Sequence, residues 1–315
     1  MNSRFRFLFV AAAVFGIALR SSFAAQAAIV VDAQTGFILQ EVKSKDKRQI
    51  GSLTKIATAA VVLDWAERKG GDLNQMVVIS PSAFVGTIEN NIGFRPGDEI
   101  ALRELLYAAL VQSDNVAAYT LGDFVGSQIQ GTAPAGQKSK LSAMDAFVTQ
   151  MNALAKQLKM EKTRFVNPHG VDQNVKPVPY STAEDVARVT RYALNKASFR
   201  FYVSQKERQI AWRRAGKEQR YNLRNTNELL GANGIDGVKT GRTARAGECL
   251  VLSSAREPEV VKDAQGEHIY PRRIIVVLLG STGRFSEGAQ LVTQGWQLYE
   301  QWAAGGRLVD PKKML

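Results

Sequence analysis

Residues 50–60 read IGSLTKIATAA, which places Ser52 three residues before Lys55 at the start of an apolar run. Residues three apart on a helix share one face, so the hydroxyl and the amine are expected to lie close together. The N-terminus of a helix also stabilises developing negative charge through its free backbone N–H groups. The stretch therefore combines a hydroxyl, a potential base and a helix N-terminus that can stabilise negative charge. The alternative is an ordinary exposed helix lysine.

The scarcity of histidine excludes several chemistries. Only His169 and His268 are present, so a histidine-rich zinc site is unsupported. No G-x-S-x-G stretch supplies the serine of a Ser-His-Asp hydrolase. The glycines at 231, 234 and 237 precede an expected strand instead of following one, which is the wrong context for dinucleotide binding. A lysine can replace histidine as the base if burial and neighbouring positive charge lower its pKa.

Two further motifs strengthen the interpretation of Ser52 and Lys55 as a reactive pair. SDN occurs at residues 113–115, at a break between two expected helices, and KTG occurs at residues 239–241, at the end of an expected strand. A second S-x-x-K at residues 44–47 lies in a charged stretch that is expected to be solvated. S-x-x-K, S-x-N and K-T-G in this order are typical of penicillin-recognising serine enzymes.

The N-terminal segment has the pattern of a secretory signal peptide. Two early arginines precede an apolar run at residues 7–19, and small residues offer cleavage sites after Ala24 or Ala27. We expect residues 1–27 to be removed on export to the periplasm or cell-wall space; the alternatives are an uncleaved anchor or a buried helix. No other stretch approaches the ~20 apolar residues of a membrane span, so at most peripheral membrane contact is expected.

Cysteine content and charge fit an exported protein. The single cysteine, Cys249, excludes an internal disulfide and is expected to be a buried apolar residue in a strand. The net charge of +12 can indicate an anionic partner. After export, nucleic acid is not an expected partner, which leaves an anionic envelope polymer, an acidic peptide substrate or simple solubility.

The order of the expected elements predicts an α+β fold. Strands open and close the chain while helices fill the middle, which predicts an antiparallel sheet flanked by helices plus a helical lobe at roughly residues 55–195. A site between the two lobes is expected. The first half of the chain is expected to begin with two strands around a turn at 34–36. Helices are then expected from Thr54 to before Gly70, on either side of a break near Ser113, through AMDAFVTQMNALAKQLKM, and after a cap formed by Ser181, Thr182 and Glu184. The second half is expected to form strands in GIDGVKTG, GECLVLSSA and RRIIVVLLG, with a polar hairpin-like insertion in REPEVVKDAQGEHIYP, and to end in a long helix.

Taken together, the sequence resembles the serine-type D-Ala-D-Ala carboxypeptidases, which are low-molecular-weight penicillin-binding proteins of peptidase family S11. The resemblance rests on VVDAQTG, SLTK, SDN, TRFVNPHGVD, PYSTAEDVAR, RNTNELL, GVKTGRTARAG and RFSEGAQLV. It implies the penicillin-binding protein and β-lactamase fold for one catalytic domain at residues 28–315. The chain stops at VDPKKML, where many relatives continue, so no C-terminal β domain is expected.

The resemblance also implies a set of catalytic roles. Ser52 would be the acylated nucleophile and Lys55 would take its proton. Ser113 would pass a proton to the leaving D-alanine, while Asn115 would hold the acyl side chain and help to position Lys55. A helix cap and turn is the alternative role for the SDN segment, and it is compatible with the catalytic one.

Substrate-binding roles follow from the same resemblance. Lys239 would place positive charge beside the serines, Thr240 would hydrogen-bond the substrate carboxylate, and Gly241 would let the substrate backbone lie close. Arg242 stands where many relatives have histidine, and its backbone N–H would complete an oxyanion hole with that of the nucleophilic serine. Arg284 would bind the terminal carboxylate; its alternative is a solvated arginine at a helix start.

The implied reaction is attack on the D-Ala-D-Ala peptide bond of peptidoglycan stem peptides, without a metal or other cofactor, and with β-lactam antibiotics as covalent inhibitors. His169 is expected to have a structural role beside the site. An endopeptidase that cuts D-Ala–diaminopimelate cross-links is the main alternative, favoured by the short C-terminus and by RNTNELL and AGECLV. A β-lactamase is disfavoured because we find no E-x-x-x-N element of the class A deacylation loop. A non-catalytic wall-binding domain or sensor is disfavoured by the intact triple motif.

Overall fold

The apolar strands from the two ends of the chain pair in one antiparallel sheet. The computed structural model describes residues 24–86, 90–131, 141–263 and 266–315, so most of the expected signal peptide lies outside the described residues. The sheet has the order β2-β1-β9-β8-β7, which confirms the α+β prediction. Its strands are β1 (Ala27–Asp32), β2 (Ile38–Val42), β7 (Ile235–Thr243), β8 (Gly247–Asp263) and β9 (Gly266–Ser281).

Other elements cover both faces of this sheet because its central strands present apolar side chains on both faces. Ile29 and Val31 of β1 belong to the large core shared with the middle helices, whereas Val30 packs with Trp296 and Tyr299 of the closing helix. Alternate residues of a strand point to opposite faces, so one continuous apolar stretch serves two layers. The helices are α1 (Thr54–Lys69), α2 (Leu102–Val111), α3 (Asn115–Gly131), α4 (Ala143–Gln157), α5 (Ala183–Leu194), α6 (Ala197–Val203) and α7 (Arg284–Ala304).

The middle of the chain also contains a second sheet that the sequence analysis missed. Its order is β3-β4-β5-β6, with β3 (Met76–Val78), β4 (Glu99–Ala101), β5 (Glu207–Arg214) and β6 (Lys217–Arg224). The lobe expected at 55–195 is therefore not purely helical. The β5–β6 hairpin buries Ile210, Trp212 and Leu223 but is otherwise largely polar, so its apolar pattern is weak.

Helix ends follow the expected signals with one correction. Gly70 ends α1 in the left-handed conformation at φ 67°, as glycine permits without strain. At α5, the Thr182 hydroxyl accepts from the backbone N–H of Asp185, whereas the sequence analysis paired the cap with Glu184. The helix starts one residue later than the pattern suggested, so the acid at the third position after the cap is Asp185.

The polar insertion expected near residues 255–272 continues the central hairpin. Pairing of β8 with β9 extends from Glu248↔Ser281 to Asp263↔Gly266. Cys249 is fully buried in β8, as expected. Among the described residues, no helix combines the length and apolar character needed to span a membrane.

Candidate active site

The site forms around a short 3₁₀ turn, Gly51–Leu53, which leads directly into α1. The Lys55 side chain is fully buried, and its Nζ donates to Ser52 Oγ at 2.9 Å. It also donates to Asn115 Oδ1 at 2.7 Å and to the His169 carbonyl at 2.9 Å. An ammonium carries three donors, and a buried one requires partners. The geometry thus explains how an apolar helix start accommodates a lysine beside a serine.

The SDN segment joins α2 to α3 and brings Asn115 onto Lys55. Ser113 has φ 67°, an unusual conformation for a residue with a side chain. Asp114 stabilises this bend through two hydrogen bonds. Its Oδ1 accepts from the Ala117 N–H at 2.7 Å, and its own N–H donates to the Ala108 carbonyl at 3.0 Å. Burial raises the pKa of Asp114 to about 6, against the opposing effects of its backbone hydrogen bond and the Lys55 charge.

The KTG segment lies within β7, not at its end as the sequence analysis expected. Strand β7 is an edge strand of the sheet. A Cβ added at Gly241 would lie 2.8 Å from the Ile50 carbonyl oxygen and 3.2 Å from the Leu53 nitrogen. Only glycine therefore allows β7 to lie this close to the turn that carries the serine. The next residue, Arg242, has an exposed side chain, and its backbone nitrogen would lie 3.3 Å from a Cβ on Gly51.

Three basic side chains, Lys55, Lys239 and Arg284, lie close enough to interact electrostatically at this strand. Lys239 is buried and its Nζ donates to the Thr240 carbonyl at 3.1 Å. Its pKa is lowered well below the usual value by burial, and further by the charges of Lys55 and Arg284. Arg284 Nη1 donates to the Gly241 carbonyl at 3.2 Å, and its buried Nε has no partner among the described residues. A buried donor without a partner is suited to an incoming acceptor.

The loop at residues 167–172 closes the other side of the turn. A Cβ on Gly170, which has φ 86°, would lie 2.0 Å from the Gly51 carbonyl oxygen, so the loop is pressed against the serine turn. Burial, together with the Lys55 charge, lowers the pKa of His169 to about 3. The neutral imidazole accepts from the Val171 N–H through Nδ1 at 3.1 Å. His169 thus contributes a carbonyl to Lys55 while its ring holds the loop.

Comparison with known families agrees with this arrangement. The sequence model of the D-alanyl-D-alanine carboxypeptidase family matches residues 16–262. The chain belongs to this family. The structure brings the S-x-x-K, S-x-N and K-T-G motifs together at one site, because Lys55 contacts Asn115 and Gly241 lies against the turn that carries Ser52.

Curated relatives of this family member include both carboxypeptidases and an endopeptidase. The chain is 30% identical over 285 residues to the D-alanyl-D-alanine carboxypeptidase DacC of Escherichia coli K12, covering 88% of this chain and 62% of that protein. It is 32% identical over 264 residues to the D-alanyl-D-alanine endopeptidase of Pseudomonas aeruginosa, covering 81% of this chain and 76% of that protein. The chain thus spans less than two thirds of the length of the E. coli carboxypeptidase that it matches.

Solved structures of penicillin-binding enzymes share the fold. The Streptomyces K15 DD-transpeptidase superposes with a TM-score of 0.73 at 26% identity, covering 88% of this chain and 98% of that chain. The ampicillin-bound penicillin-binding protein D2 of Listeria monocytogenes gives 0.64 at 25% identity, covering 87% and 98%. The predicted penicillin-binding protein and β-lactamase fold is therefore confirmed.

Several residues of this family member contact the site without having been assigned by sequence reasoning. Gln112 Nε2 donates to the Tyr221 hydroxyl at 2.8 Å, which fixes the residue before Ser113. The Thr226 and Thr240 hydroxyls lie 2.7 Å apart. Tyr221 lies on β6 of the missed second sheet, whereas Thr226 follows that strand in RNTNELL, a stretch to which sequence reasoning assigned no role at the site.

The second S-x-x-K, at residues 44–47, lies in a largely exposed stretch, as expected, and Ser44 is the one buried residue of these four. Ser44 is buried and donates to Glu41, whereas Lys47 is exposed and stacks over the Tyr180 ring at 4.5 Å. The two side chains therefore have separate partners. Among the residues that the structure describes, no cluster of three histidine, cysteine or acidic side chains could hold a metal ion.

Proposed function

We propose that this protein is an exported serine DD-peptidase that removes the terminal D-alanine from peptidoglycan stem pentapeptides through a Ser52 acyl-enzyme. The observation that carries the proposal is the buried Lys55 amine, which bridges Ser52 Oγ and Asn115 Oδ1 next to the KTG strand. A buried amine in contact with a hydroxyl is a nucleophile–base pair. The family membership supplies the reaction class.

In the proposed acylation step, Ser52 Oγ attacks the carbonyl carbon of the D-Ala-D-Ala bond and its proton passes to neutral Lys55. Two neighbouring cations, Lys239 and Arg284, disfavour a third charge at this place, because like charges repel strongly where water is excluded. The backbone N–H groups of Ser52 and Arg242 would stabilise the oxyanion. Ser113 would relay the proton to the leaving amine, and water then hydrolyses the ester.

Recognition of the substrate C-terminus is proposed for the cationic cluster. The terminal carboxylate would accept from the Thr240 hydroxyl and from the Arg284 guanidinium, whose buried Nε has no partner among the described residues. Lys239 would contribute charge from behind the strand, since its Nζ contacts the Thr240 carbonyl. Gly241 would allow the peptide to lie along the open edge of β7 as an added strand.

Penicillin sensitivity and export are part of the same proposal. The ampicillin-bound structural neighbour from Listeria supports binding of β-lactams by this fold. We propose that the N-terminal segment is removed on export, and the contacts of residues 26 and 27 favour cleavage after Ala24 over cleavage after Ala27. Gln26 N–H donates to the Leu279 carbonyl at 3.1 Å and Ala27 is the first residue of β1, so the later cut would remove sheet contacts.

A second candidate function is cleavage of D-Ala–diaminopimelate cross-links. The endopeptidase of P. aeruginosa is 32% identical to this chain, which is more than the 30% of the E. coli carboxypeptidase. Product analysis by mass spectrometry separates the two activities. We expect loss of one alanine from monomeric pentapeptide muropeptides and no change in 4,3-cross-linked dimers; conversion of dimers to monomers with untouched pentapeptide would establish the endopeptidase.

Covalent labelling by fluorescent penicillin tests the site itself. Ser52→Ala removes the acylated oxygen, so we expect no increase in protein mass after incubation with penicillin. Lys55→Ala removes the base but leaves the nucleophile, so we expect a folded protein whose acylation rate falls at least about a hundredfold. Labelling of Ser52→Ala at the wild-type mass would refute the nucleophile, and a wild-type rate in Lys55→Ala would exclude that lysine as the base.

A further inference from the structure

Thr226 lies between the two walls of the cleft and contacts both. Its backbone N–H donates to the Val111 carbonyl at 3.1 Å, at the end of α2 and two residues before Ser113. Its hydroxyl lies 2.7 Å from the Thr240 hydroxyl on β7. One half-buried residue thus connects the wall that carries the SDN segment to the wall that carries the KTG segment.

The neighbours of Thr226 fix its position from both sides. Asn227 Nδ2 donates to the Gly237 carbonyl at 3.2 Å, which ties the segment to β7. Arg224 N–H donates to Gln112 Oε1 at 3.1 Å, which ties it to the residue before Ser113. The segment therefore cannot shift away from Thr240 without breaking contacts to both walls, and the Thr226 hydroxyl is held against its partner.

We propose that Thr226 is a positioning residue that orients the Thr240 hydroxyl toward the carboxylate of the substrate or inhibitor; this rests on the proposed function. A hydroxyl has one hydrogen to donate. When Thr226 donates to Thr240 Oγ1, the hydrogen of Thr240 is left to point into the cleft. A chain of two hydroxyls also polarises the outer one, which strengthens the hydrogen bond that it donates to an anion.

The test uses a matched pair of substitutions and a cycle with the partner threonine. Thr226→Val keeps the shape but removes the hydroxyl, while Thr226→Ser keeps the hydroxyl and removes the methyl group. Thr190→Val is the control for the same change at a buried threonine remote from the site, where the hydroxyl donates to the Val186 carbonyl. Stopped-flow acylation by fluorescent penicillin, which carries a carboxylate, separates the initial binding constant from the acylation rate.

We expect Thr226→Val to weaken initial binding about three- to tenfold with little change in the acylation rate, because the contact is made before and during bond formation alike. Thr226→Ser should bind within about twofold of wild type. In a Thr240→Val background, Thr226→Val should have no further effect, because the residue acts through Thr240. Thr190→Val should bind as wild type does, and the two valine variants should have similar melting temperatures.

Three results would overturn the inference: unchanged binding in Thr226→Val, equal losses in the serine and valine variants, or the full effect of Thr226→Val persisting in the Thr240→Val background. Thr226→Ala provides a second hydroxyl-free variant if the valine does not fold. Wild-type protein that is not acylated at all would refute the proposed function, whereas acylated wild type with unchanged Thr226→Val would refute this inference alone.

Discussion

Asp114 gives the sharpest test of the electrostatics of the site, because its carboxyl group is buried next to Lys55. Burial raises its pKa from 3.8 to about 6. The folded protein therefore holds this proton more tightly than the unfolded chain does, so the carboxyl favours folding below about pH 4 and loses that contribution as the pH rises to about 6. Each pKa unit corresponds to about 1.4 kcal/mol, so the loss amounts to about 3 kcal/mol.

Asp114→Asn should remove this pH dependence while the amide oxygen still accepts from the Ala117 N–H. We expect the free energy of unfolding of wild type, measured with denaturant, to fall by about 2.5 kcal/mol relative to the variant between pH 4 and pH 7, because the unfolded carboxyl is already partly ionised at pH 4. Asp145→Asn is the control for the same change at an exposed helix cap. Penicillin acylation should persist in both variants. A difference between wild type and Asp114→Asn that is equal at pH 4 and pH 7 would refute the reasoning.

Two further predictions concern the loop beside the serine turn. The pKa of His169 is lowered from 6.5 to about 3, so the unfolded chain takes up a proton on acidification that the folded protein does not. Between pH 7 and pH 4, the free energy of unfolding of wild type should therefore fall by about 3 kcal/mol relative to that of His169→Asn. Equal pH dependence of the two unfolding free energies in denaturant titrations would contradict this. Gly170→Ala should cost more than the ~1–2 kcal/mol of the left-handed backbone alone and abolish penicillin labelling, because the new Cβ would meet the Gly51 carbonyl. Gly216→Ala is the matched control at φ 76° in open space, and equal losses of stability and labelling in the two variants would show that the contact is unimportant.

The sequence predicted the elements with strong local signals. The apolar periodicity of α1, the glycine at its end and the break at residues 112–114 are each set by neighbours along the chain, and the structure confirms them. The motifs could be placed in one cleft because the family resemblance supplied their tertiary arrangement. Periodicity alone would have left the SDN and KTG segments unconnected.

The features that were missed depend on contacts between distant parts of the chain. The β5–β6 hairpin is largely polar, so its strands could not be distinguished from a charged loop by hydrophobic pattern. Strands β3 and β4 have three residues each, which is too short for any periodicity. Because Tyr221 lies on β6, its support of the site was missed together with that strand, whereas Thr226 lies in RNTNELL, where no sequence pattern indicated its contact with Thr240.

The cationic cluster connects substrate recognition with catalysis. The charges of Lys55 and Arg284 disfavour a charge on Lys239, and burial of Lys239 disfavours it further. Under the proposed function, a substrate carboxylate bound beside these side chains would offset part of this repulsion. Lys239 and Arg284 would favour a neutral Lys55 in the empty site, and the bound anionic C-terminus would help Lys55 to hold the proton from Ser52. Selectivity for a free carboxylate and activation of the serine would then both depend on Lys239 and Arg284.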